Sequence, residues 1–205
     1  MTVRFRTIDE SIVGDHYHLR EDDVCLYLLE FTSRQGYSFS KANQLIANLK
    51  KKPTASAAEL EYKRAAINMC AQGLRDALDP DWLARATLVP IPGSKAAGHP
   101  HYDDRMGSVA RLIRPGQDVR PLVRQTVSLT ASHEAEEGAR ASVTDLIEAY
   151  EIDETLAAPA PKAIGILDDV LTAGAHYRAM HTLLSRRFPG VPITGLFIAR
   201  RVFAA

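Results

Sequence analysis

The chain has no surplus of either charge, almost no cysteine and no long apolar run, and each shortage removes a class of function. Lys+Arg number 25 and Asp+Glu number 25, so the formal charge is zero. A protein that coats nucleic acid by bulk charge needs a basic surplus, and nucleic acid is not an expected partner. A local basic patch stays open. Cys25 and Cys70 are the only cysteines. They form no CxxC pair, which excludes a zinc ribbon, and their apolar settings read as buried thiols. No stretch approaches the roughly 20 apolar residues that cross a bilayer. The charged start MTVRFRTIDE lacks the apolar core of a secretory leader. A cytoplasmic protein with no membrane partner is the expectation. Neither GxxxxGK[ST] nor GxGxxG occurs, which removes the P-loop and the dinucleotide fingerprint.

What is present is core-forming. Hydrophobic residues make up 46% of 205 positions, enough for one domain of ordinary size. Residues 1–24 are polar and mixed, and 24–31 are apolar. Ser38–Lys52 reads as a helix with Ala42, Leu45, Ile46 and Leu49 on one face, stopped by Pro53. Ser56-Ala57-Ala58-Glu59 is a capping box. It opens a long helix to about Leu78, closed by Asp79-Pro80. Residues 1–80 therefore read as a mainly helical region.

From residue 81 the pattern changes. Thr87–Pro92 is a β-prone run into Gly93-Ser94-Lys95. A helix with Met106, Val109, Ala110 and Ile113 inward follows Asp103-Asp104. Val119–Val123 is a candidate second strand, 126–141 is polar and irregular, and Ser142–Tyr150 is helical in pattern. Ala163–Leu167 is a buried-strand run ending in Asp168-Asp169. A short loop, a helix with Ala179, Met180, Leu183 and Leu184 inward, and a strand at Ile193–Ala199 complete the chain. Strand–helix alternation over 81–205 predicts an α/β domain with a parallel sheet.

In such a sheet, ligands bind outside the carboxyl ends of the strands. Asp168 and Asp169 stand at one such end. Thr172-Ala173-Gly174-Ala175 then leads into a helix. Small residues let backbone N–H groups approach an anion, and the helix N-terminus adds partial positive charge. Two carboxylates beside a phosphate cradle suit a sugar phosphate. Paired aspartates that merely cap the next helix are the competing reading.

ILDDVLTAGA resembles the phosphoribosyl-pyrophosphate (PRPP) motif of type I phosphoribosyltransferases: a hydrophobic strand, two acids, two apolar residues, then Thr-small-Gly. VPIPGSK is similar to the strand and pyrophosphate loop of the ComF-like, predicted amidophosphoribosyltransferase branch. The resemblance covers about residues 85–200. It implies a type I phosphoribosyltransferase-like fold and transfer of a phosphoribosyl group to a nitrogen acceptor. It implies that Asp168 and Asp169 hold the ribose hydroxyls. Thr172, Ala173, Gly174, Ala175 and His176 would wrap the 5′-phosphate. Ser94 and Lys95 would meet the pyrophosphate, with Mg²⁺ carried by PRPP, near Asp168, as the cofactor. Arg105, Arg124, His133 and Arg140 are candidate lid or pyrophosphate contacts. A non-catalytic PRPP or nucleotide sensor on the same fold is the alternative, and a homodimer is open. Three departures stand out. Gly165 interrupts the hydrophobic strand. His176 replaces the usual hydroxyl residue. A helical N-terminal region stands in place of the zinc ribbon.

Other groups invite weaker readings. His99-Pro100-His101-Tyr102-Asp103 has the look of a metallohydrolase stretch but lacks further ligands, and a loop flanking the pyrophosphate site fits it better. His16-Tyr17-His18 reads as surface. Lys50-Lys51-Lys52 reads as a solvated helix end, with a partner or nucleic-acid contact as the alternative. Trp82 is expected to pack the helical part onto the sheet.

Overall fold

The computed structural model describes residues 4–95, 98–126 and 141–204. Its centre is a five-stranded sheet in the order β1-β2-β7-β6-β3. The strands are β1 (Arg6–Thr7), β2 (Val24–Thr32), β3 (Ala86–Pro90), β6 (Ala163–Leu171) and β7 (Ile193–Val202). β2, β7, β6 and β3 run parallel, and only the edge strand β1 is antiparallel. The helices are α1 (Lys41–Leu49), α2 (Ala57–Ala77), α3 (Pro80–Arg85), α4 (Arg105–Ile113), α5 (Val143–Ala149) and α6 (Ala175–Arg187). A small antiparallel pair, β4 (Val123–Gln125) and β5 (Tyr150–Ile152), stands apart. The fold class is α/β with a mostly parallel sheet, as the strand–helix alternation predicts. Among the described residues no helix is long and apolar enough to cross a membrane.

Both faces of the sheet are covered, which is why its inner strands read as continuous apolar runs. Ile164, Ile166 and Phe197 pack with Tyr177, Met180 and Leu184 of α6 and Leu146 of α5. Leu88, Leu167 and Leu196 pack with Leu49 of α1, Leu74 of α2 and Val109 of α4 on the other face. Successive residues of β6 therefore face different layers, Ile166 one and Leu167 the other.

Gly165 leaves space for neighbours. A Cβ there would stand 2.9 Å from the Trp82 ring and 2.9 Å from Leu88 Cδ2. Trp82 seats α3 on the sheet through that gap, so the interruption in the hydrophobic strand and the expected packing role of Trp82 are one feature.

Several elements differ from the sequence reading. The first 80 residues are not helical throughout, because the run at 24–31 is strand β2, paired with β7 from Val24↔Thr194 to Thr32↔Val202. Buried on both faces, it shows no alternation to mark it as a strand. Pro80 starts a helix as well as closing one. It sits in the first turn of α3, and the Asp79 side chain accepts from Trp82 N–H. The candidate strand at 119–123 reduces to one bridge, Leu88↔Val119, before β4. Pro121 has no N–H to donate and interrupts it. β6 runs through both aspartates to Leu171, past the expected end at Leu167.

Candidate functional site

Alternation along β6 separates the two aspartates. Asp168 pairs in register with Phe197 and points to the α5–α6 side. Asp169 points to the α1–α2–α4 side and is 3% exposed. There both its carboxylate oxygens are held. Lys50 Nζ lies 3.0 Å from Oδ1, and Arg105 Nε and Nη2 donate to Oδ2 at 2.9 and 2.6 Å. Arg105 Nη1 also donates to Asp103 Oδ2 at 2.9 Å. Lys63, 8% exposed, donates to the same Asp103 oxygen at 2.7 Å. Its remaining protons go to the Leu49 and Lys51 carbonyls, at 3.1 and 2.7 Å. Signs alternate from Lys50 through Asp169, Arg105 and Asp103 to Lys63, and Lys63 returns to the end of α1. Every buried charge in this circuit has a partner, the condition for tolerating it in a core.

The two acids consequently differ in proton affinity. Burial pushes the Asp168 carboxyl up to about 7, and the charge of Asp169 adds to the push. Burial acts on Asp169 in the same direction, but Lys50 and Arg105 outweigh it and hold that carboxyl below its ordinary range. A raised and a lowered acid side by side are a recognised sign of a functional site.

Beyond β6, residues 172–174 turn into α6. Gly174 takes φ +90°, a left-handed conformation natural to glycine, with Leu19 packed against it. The turn is clamped from outside. His16 Nδ1 bonds the Thr172 carbonyl, and His18 N–H donates to the Ala173 carbonyl at 3.0 Å. The first N–H groups of α6, like those of any helix, have no partner within the helix. His16 is fully buried, a correction to the surface reading of His16-Tyr17-His18. Burial lowers its pKa, against the hydrogen bond to Thr172. In the first turn of α6, His176 Nδ1 lies 2.7 Å from the Tyr150 hydroxyl.

Beside Asp168 opens a cavity of about 490 Å³. Asp168, Lys95, Arg105 and Arg124 line it, with Tyr102 and Gln125. Three cations from three elements thus line one space with the raised acid, and Asp103, Asp104 and Asp153 line it too. Ser94 adjoins it through its carbonyl, which accepts from Gln125 Nε2 at 3.1 Å. Arg124 also reaches Glu151 at 3.3 Å. The turn residues Thr172 to His176 do not line this cavity. They follow directly on β6, which ends at Leu171. His133 and Arg140 lie outside the described residues.

The remaining candidates resolve plainly. His99 and His101 are exposed, and His99 Nδ1 accepts from the His101 backbone N–H at 3.0 Å. Asp103 belongs to the ion circuit, and no group of three or more His, Cys, Asp or Glu suited to a metal occurs among the described residues. Lys50 is an ion-pair partner of the buried Asp169, and Lys51 pairs with Glu59 at 3.2 Å. Burial pushes both thiols, Cys25 and Cys70, up to about 12, so neither is a nucleophile at neutral pH.

Sequence reasoning missed Lys50, Lys63, His16 and Tyr150. Lys63 had a signal, since it shares the buried stripe of α2 with Ala66, Cys70 and Leu74. The others meet the site only through the topology. No protein-family model matches the chain, and no curated protein matches it.

Proposed function

We propose that the chain binds PRPP and transfers its 5-phosphoribosyl group to a nitrogen nucleophile, releasing pyrophosphate. One observation carries the reading. β6 carries Asp168, which lines a cavity together with Lys95, Arg105 and Arg124, and the strand runs on into a small-residue turn at the N-terminus of α6. A ligand with phosphate at one end, a diol in the middle and pyrophosphate at the other matches that sequence of surfaces. The turn offers backbone N–H groups to the 5′-phosphate. Asp168 faces the ribose, and Lys95 and Arg124 face the pyrophosphate, with Arg105 behind them on Asp169 and Asp103.

The chemistry suits these groups. The bond from the anomeric carbon to the pyrophosphate oxygen breaks, and a bond to the acceptor nitrogen forms. Positive charge develops on the ribose in between, and an ionised Asp168 favours it. Lys95 and Arg124 favour the departing negative charge. The incoming nitrogen loses a proton to water or to the departing pyrophosphate. Mg²⁺ fits the donor set through the hard oxygens of Asp168. It holds few protein ligands and relies on substrate phosphates and water. Bound with PRPP, it would neutralise pyrophosphate charge.

A second reading has its own observation. Both oxygens of Asp169 are already held by Lys50 and Arg105, so the second acid of the pair is committed to the fold. A site with one available ribose acid fits a sensor that binds PRPP without turnover. Pyrophosphate release decides between the two. The protein is incubated with PRPP, Mg²⁺ and a panel of nitrogen acceptors including ammonia and nucleobases. Release with one acceptor supports the transferase. Binding without release for any acceptor supports the sensor.

A further inference from the structure

We propose that Tyr150 is a positioning residue that holds His176 in its Nε2–H tautomer, making the imidazole a neutral donor to an anion at the 172–176 turn. This inference rests on the PRPP reading for the identity of the anion. The tautomer itself follows from hydrogen-bond accounting. Tyr150 is 5% exposed, and its hydroxyl lies 2.7 Å from His176 Nδ1. No other side-chain or backbone partner of that hydroxyl occurs among the described residues. If Nδ1 carried the proton and donated to the phenol, the phenolic proton would be buried without an acceptor. That outcome costs roughly 1–3 kcal/mol. If the phenol donates to Nδ1, both groups are satisfied and the imidazole proton sits on Nε2. His176 is only half-buried, and Nε2 is not among the enclosed, unpartnered atoms. It therefore has an outward edge to offer.

The surroundings keep both rings neutral. Burial lowers the His176 pKa, with Asp169 opposing and Lys50 reinforcing that shift. Burial raises that of Tyr150, and the charge of Asp168 adds to it. Neutral imidazole is amphoteric: one tautomer offers an anion a proton, the other a lone pair. At the second residue of α6, Nε2–H joins the backbone N–H groups of the first turn, whereas a lone pair would repel the phosphate. Tyr150 thus removes the ambiguity that a histidine brings to this position, and a hydroxyl residue there would need no such partner.

The test has two parts. Nitrogen-15 NMR of the imidazoles at pH 7.5 reads the tautomer without any ligand. His176 is expected as Nε2–H in the native protein and as a mixture in Tyr150→Phe. An Nδ1–H signal in the native protein overturns the inference. Calorimetry with PRPP and Mg²⁺ then reads the consequence. Tyr150→Phe should weaken binding about 2- to 10-fold, the range of one hydrogen bond. In a His176→Thr background the same change should have no effect. An equal loss in both backgrounds marks Tyr150 as mere packing and overturns the inference. Absence of PRPP binding by the native protein, with the Nε2–H tautomer seen, overturns the PRPP reading and supports the Tyr150–His176 arrangement.

Discussion

Lys50 and Asp169 form an ion pair of 3.0 Å that ties the end of α1 to the tip of β6. The lysine is 44% exposed at its side chain and the aspartate 5%. One partner is wet and the other dry, so the two substitutions should differ. Lys50→Ala leaves Arg105 on the carboxylate and should cost about 1 kcal/mol. Asp169→Asn strands Arg105 and Lys50 beside a neutral amide and should cost more, about 3 kcal/mol. Urea unfolding at pH 7.5 measures both, and equal costs would contradict the asymmetry.

That pair also sets an acid limb. Asp169 has a folded pKa below its unfolded one, so its contribution is complete above the ordinary carboxylate range. It fades as pH falls through that range. The stability difference between native protein and Asp169→Asn should therefore shrink as pH is lowered below about 4. A difference that stays constant down to pH 2.5 would show that the charge is not what matters.

Asp168 behaves oppositely. Its folded pKa, about 7, lies above the unfolded value, so ionising it weakens the fold as pH rises through 7. Asp168→Asn should raise the melting temperature at pH 8, by about 2–4 °C for each kcal/mol relieved. It should have little effect at pH 4. The same substitution should abolish PRPP binding. In the native protein, PRPP affinity should climb with pH through about 7. A variant both more stable and non-binding marks a site whose charge opposes stability.

Gly174 has φ +90° with Leu19 beside it. Gly174→Ala forces a side chain into that conformation and should cost about 1–3 kcal/mol. It should also weaken PRPP binding, because the first-turn N–H groups would be misaimed. Chemical denaturation and calorimetry measure the two effects. Loss of stability with unchanged affinity would remove the turn from the anion site.

Gly165 and Trp82 test the fold alone. Gly165→Ala places a methyl 2.9 Å from the Trp82 ring and should cost about 1–3 kcal/mol by overpacking. Trp82→Leu should cost less in that background than in the native one. Additive costs would mean the two residues do not share space.

The parallel sheet was legible because strand–helix alternation is written into apolar runs and caps. The capping box at Ser56–Glu59 formed as its residues specify. β2 was not legible as a strand, because burial on both faces erases the period-two signal. In the site, the acid pair and the small-residue turn were visible as a local motif. That the two acids face opposite layers follows from β6 extending to Leu171, which the charged residues disguised as a strand end. Lys50, His16 and Tyr150 meet their partners Asp169, Thr172 and His176 across more than 20 residues of chain. No local pattern encodes such meetings. Lys63 was the exception, a charge on an apolar stripe that had to be paired.

The most direct measurement is the melting temperature of the native protein with PRPP and Mg²⁺, set against Asp168→Asn. At 100-fold excess over Kd, binding contributes about 2.7 kcal/mol. That corresponds to a rise of about 5–10 °C in a chain of this size. The account predicts that rise in the native protein and none in Asp168→Asn. No shift in the native protein, or the same shift in both, would contradict it.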